Sequence, residues 1–205
     1  MNEPKERGFS PWGPIQFVTP IFEGCWGVCT ASHGGIKLSR SLNAKVPEYA
    51  RSKGGWYEED CDWAIPACVF AEQWKASQNN KKPGEGDSDI EQAKKSLRDW
   101  NPDIYAKLYN VPLESLRGHS YIYDQRVWKE EHKNDWQTLA AWGSHDKNVP
   151  DGMVGVVACV GGRLGNGRYA GQERYFLVPE DEYQNRQGTY IVDPETAQHW
   201  DGPGI

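Results

Sequence analysis

Hydrophobic residues near the start of the chain follow the short period of β-strands. Residues 15–18 and 25–30 are rich in β-forming side chains and flank a turn at residues 20–24, which predicts a hairpin. Ile36 and Leu38 alternate with polar neighbours and predict a third strand. The N-terminal part of the chain therefore favours antiparallel strands.

The middle of the chain changes to the longer period of α-helices. A helix over residues 56–74 is predicted by apolar positions three and four residues apart, namely Trp63, Ala67, Phe70 and Trp74. Ser88, with Glu91 three residues later, is a capping-box pattern that predicts the start of a helix ending near Trp100. A further helix is predicted to begin at residues 101–102, and another is predicted to cover residues 120–134.

Strand-like segments return in the last third of the chain, at Trp136–Trp142, Met153–Val160, residues 174–178 and residues 189–192. Strands, then helices, then strands is the order of an α+β protein. We expect an antiparallel sheet built from N- and C-terminal strands, with the central helical segment packed on one face. Residues 1–14 are predicted to form a polar N-terminal arm, ordered only if Trp12 docks. Residues 15–200 are predicted to form a single domain, with a candidate internal break at 77–87.

Composition and charge exclude several classes of protein. The longest apolar run has eight residues, Met153–Val160, too few to span a membrane, and the first residues show no signal-peptide pattern. The net charge of −6 and the lack of a basic run argue against direct nucleic-acid binding. Five cysteines without an export signal predict reduced thiols and a cytoplasmic location.

The densest group of titratable residues surrounds Cys61, where four carboxylates occupy five positions: Glu58, Glu59, Asp60 and Asp62. Crowded carboxylates raise one another's pKa, as in acid–base and metal sites. The alternative is that acids in the first turn of a helix only stabilise its dipole.

His33 lies in a Ser-His-Gly-Gly turn, whose glycines permit close approach of a ligand. Beside Cys61 it would form a Cys–His nucleophile pair, oriented by an acid such as Asp60. A metal site could also use His33 with the same acids. The remaining alternative is an ordinary hydrogen-bonded turn histidine. We therefore take His33, Cys61 and Asp60 as candidate catalytic residues. Glu58, Glu59 and Asp62 are candidate partner-binding residues.

Two other patterns point away from cofactors. Cys25 and Cys29 would lie about 13 Å apart on a strand, too far for a disulfide, and no zinc-ligand spacing is present. The glycine-rich segment 161–167 follows a strand but returns to a strand, which favours a long hairpin connection over a phosphate loop. Its Arg163 and Arg168 are candidate contacts for an acidic partner. We expect no metal and no cofactor.

Several segments resemble a family of small proteins carried by bacterial plasmids, integrated elements and phages. The matching segments are TASHGGIKLS (residues 30–39), GGWYEEDCDWAIPA (54–67), LRDWNPDIY (97–105), GMVGVVACVGGR (152–163), ERYFLVPEDEY (173–183) and IVDP (191–194). The resemblance implies a bacterial cytoplasm that hosts a mobile element. Small acidic proteins in that setting often act against host defence, as anti-CRISPR or anti-restriction proteins.

Three functions are compatible with these observations. The first is stoichiometric binding to a host defence complex such as a CRISPR effector subunit, with some of the ten Trp and ten Tyr side chains as anchors. The second is a small hydrolase or protein-modifying enzyme that uses His33 with Cys61 or the acids at residues 58–62. The third is a metal- or nucleotide-binding accessory factor. The first is the expectation taken forward, because no complete catalytic signature is present.

Overall fold

The computed structural model describes residues 3–77, 85–164, 167–169 and 171–204. The chain divides into two compact units, Met1–Asp124 and Gln125–Ile205. Every strand pair in the described residues is antiparallel, and helices are present beside the sheets, so the α+β class is confirmed. None of the described helices combines the length and the apolar character needed to cross a lipid bilayer.

The first unit is a four-stranded sheet with helices and a short N-terminal hairpin. Its elements are β1 (Phe9–Ser10), β2 (Gly13–Pro14), β3 (Phe17–Phe22), β4 (Cys25–Cys29), β5 (Gly34–Leu38), α1 (Arg40–Asn43), β6 (Trp56–Glu58), α2 (Ala64–Val69), α3 (Ala71–Ser77), α4 (Glu85–Trp100) and α5 (Pro102–Tyr109). Helix α6 (Tyr121–Glu131) begins in this unit. The sheet order is β3-β4-β5-β6, and a bulge interrupts β3 between Pro20 and Phe22.

One face of this sheet carries the main core. Ile36 and Leu38 point to that face, and they pack with Tyr57 of β6 and with the helices. The helical contribution to this core comes mainly from Ala67, Phe70, Trp74, Ala93 and Leu97. The predicted periodic residues of 63–74 therefore do form an apolar face, and the prediction of helices packed on one face of the sheet is confirmed here.

The N-terminal arm covers the opposite face. A Cβ atom on Gly35 would lie 2.4 Å from the Cη2 atom of Trp12, so the Trp12 indole lies over the face opposite Ile36. Ile15 is buried beside it, only 3% exposed. Trp12 therefore docks, and the arm belongs to the first compact unit.

The second unit is built on a five-stranded sheet of order β10-β7-β8-β9-β11. Its elements are β7 (Trp136–Trp142), β8 (Met153–Val160), β9 (Arg174–Pro179), α7 (Glu180–Gln184), β10 (Ile191–Val192) and β11 (Gln198–His199). Val154, Val156 and Phe176 lie in one cluster, and Leu177 and Trp200 lie in another. Since adjacent strand residues such as Phe176 and Leu177 fall in different clusters, both faces of this sheet are covered.

The expectation of one sheet shared by both ends of the chain is wrong. The N-terminal strands pair in sequence order with one another, and the C-terminal strands pair in a separate sheet. Short connections make neighbouring strands the least costly partners in loop-closure entropy, which favours two local sheets. The boundary between the units follows Asp124, whereas the candidate break at 77–87 falls largely outside the described residues. The single domain expected over residues 15–200 stays a prediction.

Candidate functional site

The acid-rich segment lies in a strand and a turn, not in a helix. Trp56 and Tyr57 pair with Lys37 and Ile36 of β5, and α2 begins only at Ala64. The predicted start of the helix at residue 56 is therefore wrong, because the β-prone side chains Trp56 and Tyr57 pair with the edge of the sheet instead. The first turn of α2 contains no acidic residue, so the helix-dipole explanation for these carboxylates does not apply.

The turn after β6 holds the carboxylates at the end of the sheet. The backbone N–H of Trp63 donates to the carbonyl of Glu58 at 2.8 Å and closes the turn. The backbone N–H of Asp60 donates to the Glu58 carboxylate at 2.7 Å. Glu59 and Asp60 face solvent, whereas Glu58 and Asp62 are half-buried. The four acids therefore line one exposed edge of the first unit.

His33 meets this edge from the neighbouring turn. Its backbone N–H donates to the Thr30 hydroxyl at 3.1 Å, and its carbonyl accepts from the Thr30 backbone N–H at 2.7 Å. Its Nδ1 atom lies 3.8 Å from an oxygen of Glu59. Gly34 permits this approach, since a Cβ there would lie 2.6 Å from the Glu59 carboxylate. The turn thus orients His33 toward the acids.

Within the part of the chain that the structure describes, His33, Glu58 and Glu59 form a group of potential metal ligands. One ligand atom from each lies within 4.8 Å of the other two. An imidazole and two carboxylates are a donor set that divalent metals accept. The His33 and Glu59 side chains are 54% and 47% exposed, and solvent-facing acids of this kind are common without an ion. The described residues therefore provide a ligand geometry, and no second observation among them points to a metal.

The proposed Cys–His pair stays a prediction. No hydrogen bond joins Cys61 to His33 among the residues described. Burial raises the pKa of the Cys61 thiol, and Asp62, Glu58 and Asp60 raise it further. A raised pKa keeps the sulfur protonated near neutral pH, whereas a nucleophile needs the thiolate. The role of Asp60 as an orienting acid likewise stays a prediction, since its one described hydrogen bond is made by its backbone N–H to Glu58.

An apolar groove adjoins the acidic edge. Its volume is about 230 Å³, and its lining includes Gly27, Val28, Cys29, Ile36, Glu59 and Trp63. Phe17 lies opposite Cys29 in the strand pair and is 63% exposed. Residues paired directly across antiparallel strands project from the same face, so Phe17 extends the apolar surface beyond Cys29. We call this surface, together with residues 58–62 and His33, the acidic groove.

Asp62 has a more enclosed environment than the other acids. Burial and the neighbouring Glu58 carboxylate raise its pKa, and a hydrogen bond with Asn101 partly offsets that rise. Asn101 immediately precedes α5, so the cap region of this helix contacts the acidic segment. Asp62 therefore joins the acidic groove to the helical layer.

The arginine candidates belong to the second unit. Arg163 forms a bridge with Tyr169, its guanidinium lies 5.6 Å from the Tyr169 ring centre, and the backbone N–H of Leu164 donates to the Arg168 carbonyl. These contacts confirm the hairpin connection in its described part, while residues 165, 166 and 170 lie outside the described residues. Arg163 also lines a cavity of about 390 Å³ with Trp128 and Lys129.

Nine of the ten tryptophans are at least half-buried. Trp26, Trp74 and Trp200 are buried, and Trp100 is the one exposed indole. Three of the half-buried indoles pack against the core clusters: Trp63, Trp136 and Trp142. Trp100 packs against the exposed Tyr121 at a ring distance of 5.2 Å. The surplus of tryptophan therefore reflects core packing on several sheet faces more than a large aromatic surface.

The sequence pattern does not predict the burial of Lys37. Lys37 alternates with Ile36 and Leu38, so the pattern predicts a solvent-facing side chain. It is instead only 8% exposed, because Trp56 and Gly54 lie against it. No local signal could predict this burial, since Trp56 on β6 and Gly54 just before that strand are more than fifteen residues away in sequence.

Comparison with known proteins places the chain in a family. The family model described as Domain of unknown function (DUF7007) matches residues 5–133, which include almost all of the first unit. No curated protein and no solved structure matches the chain. The match covers more than half of the 205 residues, and it contains His33, residues 58–62 and Lys37. The chain therefore belongs to the DUF7007 family.

Proposed function

We propose that the protein acts by stoichiometric binding of another protein, and that the acidic groove is its contact surface. The observation that carries this proposal is the combination of an apolar groove with carboxylates on its rim. Among the described residues, no lysine or arginine forms a salt bridge with Glu58, Glu59, Asp60 or Asp62. The two that face solvent, Glu59 and Asp60, are therefore available to a cationic partner surface.

The groove combines apolar surface with negative charge, and a specific protein contact uses both. Exposed Phe17 and half-buried Trp63 offer apolar area, from which most binding energy at protein interfaces is obtained. Carboxylates on the rim attract a basic surface, accelerate encounter and select against acidic surfaces. A partner that presents an apolar side chain flanked by lysine or arginine fits this arrangement.

The groove supports binding better than catalysis. Catalysis by Cys61 would require a lowered thiol pKa, whereas burial and the carboxylates of Asp62, Glu58 and Asp60 raise that pKa. His33 and Glu59 are both about half exposed, so water screens their interaction. The alternative of a small hydrolase or protein-modifying enzyme therefore has less support.

The mobile-element setting implied by the family resemblance suggests the identity of the partner. A protein of a host defence complex, such as a CRISPR effector subunit, carries basic surfaces that hold nucleic acid. An acidic protein that occupies such a surface would block it without turnover. We propose a bacterial cytoplasmic partner of this class.

Affinity purification tests the proposal. The tagged full chain is expressed in a bacterial host carrying CRISPR and restriction systems, and retained proteins are identified by mass spectrometry. We expect a near-stoichiometric defence subunit. The double variant Glu58→Lys/Glu59→Lys should weaken that binding at least tenfold, because it replaces attraction by repulsion at the rim. Glu114→Lys, at an exposed acid outside the groove, is the matched control.

Two outcomes would contradict the proposal. One is equal binding by the wild type, the double variant and Glu114→Lys, which would place the contact elsewhere. The other is an empty purification together with a defence phenotype that His33→Ala or Cys61→Ala abolishes without a change in melting temperature. That second result would favour an enzyme.

A further inference from the structure

Lys37 is a buried cation on the face of the first sheet opposite the main core. It lies on β5 between Ile36 and Leu38, whose side chains enter the core on the other side. The Lys37 residue is 8% exposed. Its ammonium donates to the Gly54 carbonyl, and its Nζ atom lies 4.9 Å from the centre of the Trp56 ring.

The described chain provides no carboxylate for this buried charge. Lys37 forms no salt bridge with any described residue. Burial lowers its pKa, and no neighbouring acid raises it back. Lysine is rarely buried without an anionic partner, because removing an ammonium from water is costly. A carbonyl dipole and an aromatic face offset only part of that cost.

A second cation lies at the same place. Lys37 lines a cavity of about 280 Å³ together with Arg40, Asn43 and Gly54. Arg40 is exposed, and it too forms no salt bridge within the described part of the chain. The lining therefore contains two positive charges and no negative charge.

The remaining walls of the cavity are held in place. The Asn43 amide donates to the Ser52 carbonyl at 3.0 Å, and its oxygen accepts from the Tyr57 hydroxyl at 2.7 Å. Gly54 has a φ of 76°, a left-handed conformation that glycine adopts without strain. A site whose walls are already fixed loses little entropy when a ligand binds.

We propose that this cavity is a binding site for the phosphate group of a small molecule, with Lys37 at its base and Arg40 at its rim. A phosphate monoester carries up to two negative charges, which two cations without a carboxylate would balance. The guanidinium of Arg40 can donate two parallel hydrogen bonds to phosphate oxygens, and the ammonium acts as a point charge.

The size and depth of the cavity favour a small ligand over a nucleic-acid strand. A volume of about 280 Å³ lies just below the range typical of small-molecule sites. Lys37 is recessed beneath Trp56 and Gly54, whereas nucleic-acid backbones are usually bound by exposed basic stripes. None of the four lining residues belongs to the acidic groove, so the site is independent of the proposed protein contact.

Calorimetric titration of the full chain tests the proposal. Inorganic phosphate and glycerol phosphate are titrated at constant ionic strength, and acetate and a single-stranded oligonucleotide serve as comparison ligands. We expect saturable binding of the two phosphates at one site, with acetate at least tenfold weaker. Arg40→Gln should weaken phosphate binding at least tenfold, and Lys37→Met should abolish it.

The control variant is Lys45→Gln, which removes an exposed lysine outside the cavity and should leave binding unchanged. Circular dichroism checks that Lys37→Met folds. If it does not fold, Arg40→Gln still tests the site, because Arg40 is exposed. The proposal is overturned by an absence of saturable binding, or by equal effects of Lys45→Gln and Arg40→Gln. Acetate binding as tight as phosphate binding would also overturn it. The proposal would also be overturned if the oligonucleotide bound more tightly than either phosphate and if Lys45→Gln weakened that binding as much as Arg40→Gln does.

Discussion

The indole of Trp12 meets the indole of Trp56 edge-on, with ring centres 5.7 Å apart and ring planes at 86°. This contact fixes the N-terminal arm on β6, and it depends on Gly35 beneath it. A Cβ atom at Gly35 would lie 2.4 Å from the Trp12 ring and 2.2 Å from the Tyr57 carbonyl oxygen. The arm can therefore pack closely only where the strand below carries no side chain.

Gly35→Ala should lower the free energy of unfolding by at least about 2 kcal/mol, because either the arm or the β5–β6 pairing must move. Gly27→Ala on the adjacent strand is the matched control. A Cβ there would meet its nearest atom at 3.7 Å, an ordinary contact, so we expect a change within about 0.5 kcal/mol. Urea denaturation followed by tryptophan fluorescence measures both. Equal effects of the two substitutions would mean that the arm does not depend on Gly35.

Tyr57→Phe should destabilise the first unit by about 1–3 kcal/mol. The Tyr57 hydroxyl donates to Asn43 at 2.7 Å and accepts from the backbone N–H of Ser52 at 3.2 Å, and the residue is fully buried. Removal of the hydroxyl leaves the Asn43 side-chain oxygen and the Ser52 backbone N–H without this hydrogen-bond partner. Tyr49→Phe, at an exposed ring, should have almost no effect. Chemical denaturation of the two variants compares them directly, and a neutral Tyr57→Phe would show that this network adds no stability.

Asp62 should make stability depend on pH in the acid range. The pKa of Asp62 in the folded protein is raised above the reference value of 3.8. At pH values between 3.8 and that raised pKa, Asp62 is therefore protonated more often in the folded protein than in the unfolded chain. The free energy of unfolding contributed by this group therefore falls as pH rises through that window. Asp62→Asn removes this contribution.

Denaturation at a series of pH values from about 3.5 to 7 tests this prediction. We expect Asp62→Asn to gain stability relative to the wild type as the pH rises. Glu114→Gln, at an exposed acid, controls for the loss of one charge. A stability difference between wild type and Asp62→Asn that stays constant across the series would contradict the prediction.

Cys29 should be the first thiol to react with an alkylating reagent, and Cys25 the last. Cys29 is exposed in the acidic groove, whereas burial raises the pKa of the Cys25 thiol to about 12. Mass spectrometry of the native protein during alkylation gives the order, and Cys29→Ser should remove the fastest step. If the groove binds a partner, alkylation of Cys29 should also block that binding. Rapid modification of Cys25 would show that β4 opens in the native state.

Elements defined by local signals were predicted well. Trp136–Trp142 and Met153–Val160 are strands with the predicted bounds, and Pro102 begins α5 as its position after Asn101 indicates. Alternating or buried apolar runs and a proline at a helix start are properties of a short window of sequence. Such windows need no information about distant residues.

Elements that depend on distant partners were predicted less well. Residues 56–58 have apolar spacing compatible with a helix, but pairing with β5 makes them a strand. Helix α4 begins at Glu85, so Ser88 lies inside the helix rather than at its cap. In the candidate site, the sequence identified His33 and residues 58–62 as chemically dense, and strand pairing brings them together. It missed Lys37, because the Trp56 and Gly54 that bury it are non-local.

The edges of the first sheet restrict how a partner can approach. Strand β3 forms one edge and contains Pro20, which has no backbone N–H to offer an incoming chain, and the bulge after Pro20 further disturbs the register. Strand β6, at the other edge, has only three residues before the acidic turn. Neither edge suits β-augmentation, in which a peptide extends a sheet through main-chain hydrogen bonds. If the first unit binds a partner as proposed, that binding would therefore rely on side chains, and substitutions of those side chains should change specificity without rebuilding the sheet.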